Sequence, residues 1–245
     1  MGHSPPIPLI TTLAAHSPLT GVHWKDRGAA PKGYVMGMAV AFGRAYCKFR
    51  AGDAAELDMA RPDSGHPLRD ALAHYRGQFV AHGMDNAAGG VDVLRHLFVL
   101  LTGLGMRESS GHYSEGRDAS ATNTSAWTAE AGLFQVSYNS HTASPLLDRL
   151  FAQYRGSDDF LDIFKVGVGA SAAGMANWGS GTGQDFQKLT KACPAFAVEY
   201  AAVALRHLRT HWGPINRHAA EVRRESDDLF RTVQQLIDGA GFTLV

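Results

Sequence analysis

The strongest constraint in this sequence is residues 91–106, VDVLRHLFVLLTGLGM, which are apolar on nearly every side of a helical projection. A helix of that kind has no face to offer water, so it belongs at the centre of a protein. Asp92, Arg95 and His96 interrupt the apolar run, and it is too short to cross a bilayer. Glu108 sits where this helix runs out. A carboxyl there meets the negative end of the helix dipole, and the preceding residues supply apolar walls. Both effects disfavour the charged form and raise the pKa, as a general acid working near neutral pH requires. The competing reading, a solvated acid at a helix end, is the commoner fate of an arbitrary glutamate.

With 245 residues the chain is long enough to bury a substantial core. The 23 Lys and Arg balance the 23 Asp and Glu, which argues against nucleic acid as the main partner, because phosphate binding shows as a basic excess. Neutral or mixed-charge polymers such as polysaccharides stay open. Cys47 and Cys193 fit no metal-ligand spacing; each reads best as a small buried filler, with pairing left undecided. No basic-led apolar run opens the chain, so no secretory signal is expected in it, although a start such as MGHSPPIPL could follow removal of one.

Along the chain, residues 1–32 carry five prolines and little periodicity, and are expected to form an irregular lead-in to a domain over 33–245. Residues 33–49 place Val35, Met38, Phe42, Tyr46 and Phe49 at helical spacing. A proline start and glycine stop predict a helix over 67–83, and Ser144 with Pro145 predicts another. A short helix is expected near 158–167, a long one over 193–212 and a last one over 217–239. The result is a mainly α single domain.

Three acids follow the central helix closely enough to face Glu108: Glu115, Asp118 and Glu130. The series Arg107-Glu108-Ser109-Ser110-Gly111, then Ala131-Gly132-Leu133-Phe134-Gln135, then Met175-Ala176-Asn177-Trp178-Gly179 resembles the lysozyme superfamily, above all its soluble lytic transglycosylases and goose-type lysozymes. The resemblance covers the middle of the chain. It implies a lysozyme-like fold in which a small β-hairpin region between about 112 and 140 forms one wall of a substrate groove. It also implies Glu108 as catalytic acid, and peptidoglycan as the default substrate. Phe134 departs from the methionine of that pattern, and Glu130 stands where those families usually carry a small residue. A helix-end glutamate with a second acid on the following hairpin is similar to the chitinase and chitosanase branch, whose second carboxylate activates water for inversion. Glu130 is placed slightly ahead of Asp118 for that role, and Arg117 offers Asp118 a structural ion pair instead. Carboxyls roughly 6.5–9.5 Å apart leave room for the water.

Gln135, Asn123, Asn177 and Ser137 can hydrogen-bond sugar hydroxyls, and Tyr113, Trp127, Tyr138 and Trp178 offer faces for pyranose rings, with core packing as the alternative for each aromatic. Trp24, Trp212 and Tyr200 are assigned to packing. His207 and His211 lie one helical turn apart but lack the HExxH acid, so no metal is expected. The glycines at 179, 181 and 183 lack a phosphate-loop ending and read as a flexible loop bordering the cleft. The expectation is therefore a cofactor-free, monomeric glycosidase or lytic transglycosylase acting on a β-linked polysaccharide, secreted or periplasmic. An inverting hydrolase of chitin, chitosan or another glucan is the alternative within that chemistry. A lysozyme-like scaffold kept only for carbohydrate binding is the competing class.

Overall fold

The structure is a computed structural model that describes residues 7–117 and 125–240. At its centre runs the helix Val91–Ser109, in which every residue from 93 to 106 is buried. The helices Lys32–Arg50, Pro194–His207 and Arg224–Ala240 pack around it, and the fold is mainly helical. One continuous cluster of buried apolar side chains runs from Ile10 in the first helix to Ile237 in the last. No helix among the described residues is long and apolar enough to cross a membrane.

Full burial of the central helix creates two demands, and the sequence meets both. Neighbouring chain must approach its backbone closely, and Gly103 permits this: a Cβ there would lie 2.3 Å from the carbonyl oxygen of Glu221. Its polar residues must also find partners. Arg95 bonds Asp227 at 2.6 Å and Asp92 at 2.7 Å, while His96 Nδ1 lies 2.8 Å from Asn86 Oδ1. Burial, with the positive charge of Arg95, pushes the His96 pKa down to about 4, so this imidazole is neutral.

Several expectations are corrected. Residues 1–32 do not form a wholly irregular lead-in: Ile7–Ala15 is a helix packed on Lys32–Arg50 with Ile10 and Ala14 buried. Pro8 falls in its first turn, where a missing N–H costs nothing. The two-stranded sheet pairs His23–Trp24 with Gly28–Ala29, not residues of the 112–140 region. In that region the described residues show a single bridge, Ala131 to Val136. The helix expected over 67–83 breaks at Tyr75 into Ala71–His74 and Arg76–Ala81, and the last helix starts at Arg224. The helix Thr182–Ala192 was not foreseen, because its glycines masked it. Gly183 is there for contact: a Cβ on it would come within 2.3 Å of the Ala126 carbonyl oxygen. The expected helix over 33–49 and the Ser144 cap, which accepts from the Leu146 N–H, are both present. Cys47 and Cys193 are buried free thiols, and His207 pairs with Asp58 at 2.9 Å.

Gly103→Ala should destabilise the protein by about 1–3 kcal/mol, since overpacking against backbone cannot be relieved by rotating a side chain. Gly77→Ala, in a helix with nothing within 4 Å of the added methyl, should be neutral or stabilising. Denaturant unfolding of the two variants checks the contrast.

Candidate active site

The central helix surfaces in its last turn, and Glu108 is there. Ser110 takes the left-handed conformation (φ 53°), as does Gly111, where a Cβ would meet the Tyr34 ring at 2.8 Å. The chain is thereby turned sharply away from the helix axis and Glu108 is left beside a cleft. Ser109 Oγ donates to the carbonyl oxygens of Gly105 and Leu133, at 3.0 and 2.8 Å. The second of these bonds ties the helix end to the turn closed by the Ala131–Val136 bridge. Glu130 immediately precedes that bridge, and Gln135 lies within the turn at φ 45°, a strained position for a side chain of its kind. The turn is also held from behind, because the buried Trp212 indole donates to the Phe134 carbonyl oxygen at 2.7 Å.

Glu108, Glu115, Glu130 and Gln135 line one cleft of about 510 Å³ together with Arg27, Arg107, Arg117, Pro214 and Arg217. Arg27 comes from the turn between the two short strands and donates to the Arg107 carbonyl oxygen. Arg107 in turn donates to the Lys25 carbonyl oxygen at 3.0 Å. The Arg117 guanidinium lies 4.5 Å from the centre of the Trp178 ring, which puts that exposed tryptophan at the edge of the cleft.

Burial pushes the Glu108 pKa up to about 8, and the carboxylate of Glu130 adds to the rise. Arg27, Arg217 and Arg107 oppose it without cancelling it. Glu108 keeps a solvent-accessible edge, yet at neutral pH it holds its proton. The arrangement offers a proton donor, a nearby acid and an amide in one polar recess, groups that general acid–base chemistry can use. No group of three or more metal-ligating side chains occurs among the described residues.

Of the residues singled out from sequence, Glu108, Glu115, Glu130 and Gln135 share the cleft, and Trp178 borders it. Tyr113 is corrected: only 4% exposed, it belongs to the core and presents no face for a sugar. Tyr138 stacks on His141 at 4.5 Å, with Trp127 edge-on to both, and neither Tyr138 nor Trp127 lines the cleft. Trp127 is nonetheless 49% exposed. Ser137 is buried and bonds Asn139. Asn177 donates to the Met175 carbonyl oxygen at 3.3 Å, while its side-chain carbonyl oxygen is buried without a hydrogen-bond partner among the described residues. Asp118 and Asn123 lie outside the described residues. Trp24, Trp212 and Tyr200 are buried, as expected. The residues missed were Arg27 and Arg217, which nothing in their local sequence marks. Compared with protein-family models, curated proteins and solved structures, the chain matches none.

Glu108 should titrate with a midpoint near 8 in carboxyl-carbon NMR, and Glu130→Gln should lower that midpoint. A carboxyl whose folded pKa is raised contributes stability fully present below its unfolded pKa and lost as pH rises through the folded one. Glu108→Gln should therefore leave the protein more stable than wild type at pH 9, by roughly 1–3 kcal/mol, and bring no such gain at pH 4.

Proposed function

We propose that this cleft cleaves glycosidic bonds in a β-linked polysaccharide, and that the mainly helical fold is a lysozyme-like one. The observation that carries the reading is Glu108, a carboxyl protonated at neutral pH at the edge of a polar cleft that also holds Glu130. The motif series around Glu108, Gln135 and Trp178 supports it independently, as does the exposed tryptophan beside the cleft. Peptidoglycan is the first candidate substrate, which favours a secreted or periplasmic setting.

In this reading Glu108 gives its proton to the glycosidic oxygen as the bond to the anomeric carbon breaks. Glu130 takes a proton from the water that attacks that carbon, and proton exchange with solvent restores both groups. Gln135 commits one N–H to the Gly132 carbonyl oxygen, which leaves its side-chain oxygen and second N–H for the sugar or the water. If the substrate's own hydroxyl attacks instead, Glu108 alone carries both proton transfers and the product has an anhydro end.

Glu108→Gln should lower kcat by about 10²–10⁴-fold on the polymer that wild type cleaves, the range expected for loss of a general acid. Activity should fall as pH rises through about 8, because the acid must be protonated. Incubation with peptidoglycan, chitin, chitosan and soluble β-glucans, followed by product analysis, is the test. New reducing ends that Glu130→Gln abolishes indicate hydrolysis with Glu130 as base, and anhydro ends indicate the intramolecular route. Identical behaviour of wild type and Glu108→Gln on every polymer removes the catalytic reading and leaves carbohydrate binding.

A further inference from the structure

The proposed chemistry uses none of the arginines, yet four of them line the cleft against three glutamates. With Glu108 holding its proton, positive charge is in excess there although the chain as a whole is balanced. Two of the four are committed elsewhere. Arg107 bonds the Lys25 carbonyl oxygen and lies 3.7 Å from Asp26, and Arg117 is laid over the Trp178 ring. Arg27 spends one N–H on the Arg107 carbonyl oxygen. Arg217 differs: among the described residues its guanidinium has no hydrogen-bond or ion-pair partner, although Glu108 feels its charge.

The local fold positions Arg217 for the cleft. The short helix Gly213–Asn216 has Pro214 in its first turn, and the Arg217 N–H closes it by bonding the Gly213 carbonyl oxygen. The guanidinium folds back across Gly213, close enough that a Cβ there would stand 3.0 Å from Nη1. Trp212, just before this helix, is the residue that ties the segment to the Phe134 carbonyl oxygen and so to the Gln135 turn. This leaves an exposed cationic group on a hydrogen-bonded turn beside the acid, unpaired among the described residues and able to meet an anion on a ligand.

We propose that Arg217, assisted by Arg27, selects a substrate that carries a carboxylate on the sugar close to the bond cleaved. The inference rests on the glycosidase reading and narrows it to anionic polysaccharides, against neutral chitin and cationic chitosan. Glu115 and Glu130 remain in the cleft and limit its positive excess, which suits one carboxylate at a time rather than a densely anionic polymer. A planar carboxylate matches the guanidinium fork in a way that an ammonium or a hydroxyl does not.

Equilibrium binding by calorimetry to Glu108→Gln, in which turnover is slowed, tests this at two salt concentrations. The probes are hyaluronan hexasaccharide (uronate carboxylates), an N-acetylglucosamine–N-acetylmuramic acid tetrasaccharide (lactyl carboxylates), neutral chitohexaose and its deacetylated, cationic form. At least one carboxylated probe should bind about tenfold tighter than chitohexaose, the preference shrinking with salt, and the cationic probe should bind weakest. Whichever of the two binds identifies the kind of carboxylate. Adding Arg217→Ala should remove the tenfold preference while leaving chitohexaose within twofold, and Arg217→Lys should restore part of it. Equal binding of charged and neutral probes, no binding of any, or an Arg217→Ala loss shared equally by all would overturn the proposal. If wild type cleaves nothing but an Arg217-dependent preference for carboxylate persists, the catalytic reading fails and the anion reading stands.

Discussion

Burial of one helix on every side is the constraint from which the rest of the structure follows. A helix surrounded by protein over residues 93–106 leaves its neighbours little freedom: their backbone must fit against its Gly103, and they must bring partners to Arg95 and His96. At its end the chain must leave, and the reversing chain supplies partners to the last carbonyl groups, the Ser110 N–H bonding Met106 and the Gly111 N–H bonding Gly105. The left-handed Ser110 and Gly111 make that exit abrupt, so Glu108 emerges from apolar surroundings directly into the cleft. A raised pKa and accessibility, which usually exclude each other, are combined by placing the residue at the point of exit.

The opposing wall consists of short irregular segments that would wander without ties. Ser109 Oγ and the Trp212 indole both donate into the Gly132–Gln135 turn, one from the helix end and one from behind. Gly132 is left-handed there, and a Cβ on it would press on the Thr190 carbonyl oxygen, so the turn also rests on the helix Thr182–Ala192. Further along, the buried Lys191 donates to the Gly174 and Ala176 carbonyl oxygens and fixes the loop that leads to Trp178. These ties cost conformational freedom and offset the strain at Gln135, where a side chain sits in backbone geometry that favours glycine.

How much of this is legible in the sequence depends on the range over which each signal acts. Apolar residues on all sides of 91–106 are a local signal, and that helix is where expected; so are the Ser144 cap and the spacing from Val35 to Phe49. Glu108 and Glu130 were readable because both are anchored to that helix end in sequence. Arg27 and Arg217 reach the cleft from some eighty residues before and more than a hundred after Glu108, brought there by packing that no local pattern encodes. The N-terminal helix was hidden by prolines that its first turn tolerates, and the helix after residue 181 by glycines that serve close contact with Ala126. Tyr113 shows the limit for aromatics, since residue type does not distinguish a ring in the core from one offered to a ligand.

A raised carboxyl pKa does not by itself mark a site, and this protein contains the control. Glu56 is fully buried and pushed up to about 9 by burial, by Glu199 and by Asp53, higher than Glu108. Lys48 reaches it at 2.9 Å and Glu199 at 2.7 Å, so a single ammonium is shared by two buried carboxyls, one of which keeps a proton. That cluster joins Lys32–Arg50, Ala54–Met59 and Pro194–His207, and Glu56 has no exposed surface in it. A substrate cannot reach it, and its proton is part of the packing. Glu108 shares the chemistry but differs in its neighbours: arginines that oppose the shift, and a second acid lining the same cleft. Perturbation together with access separates a group poised for proton transfer from one that is merely buried.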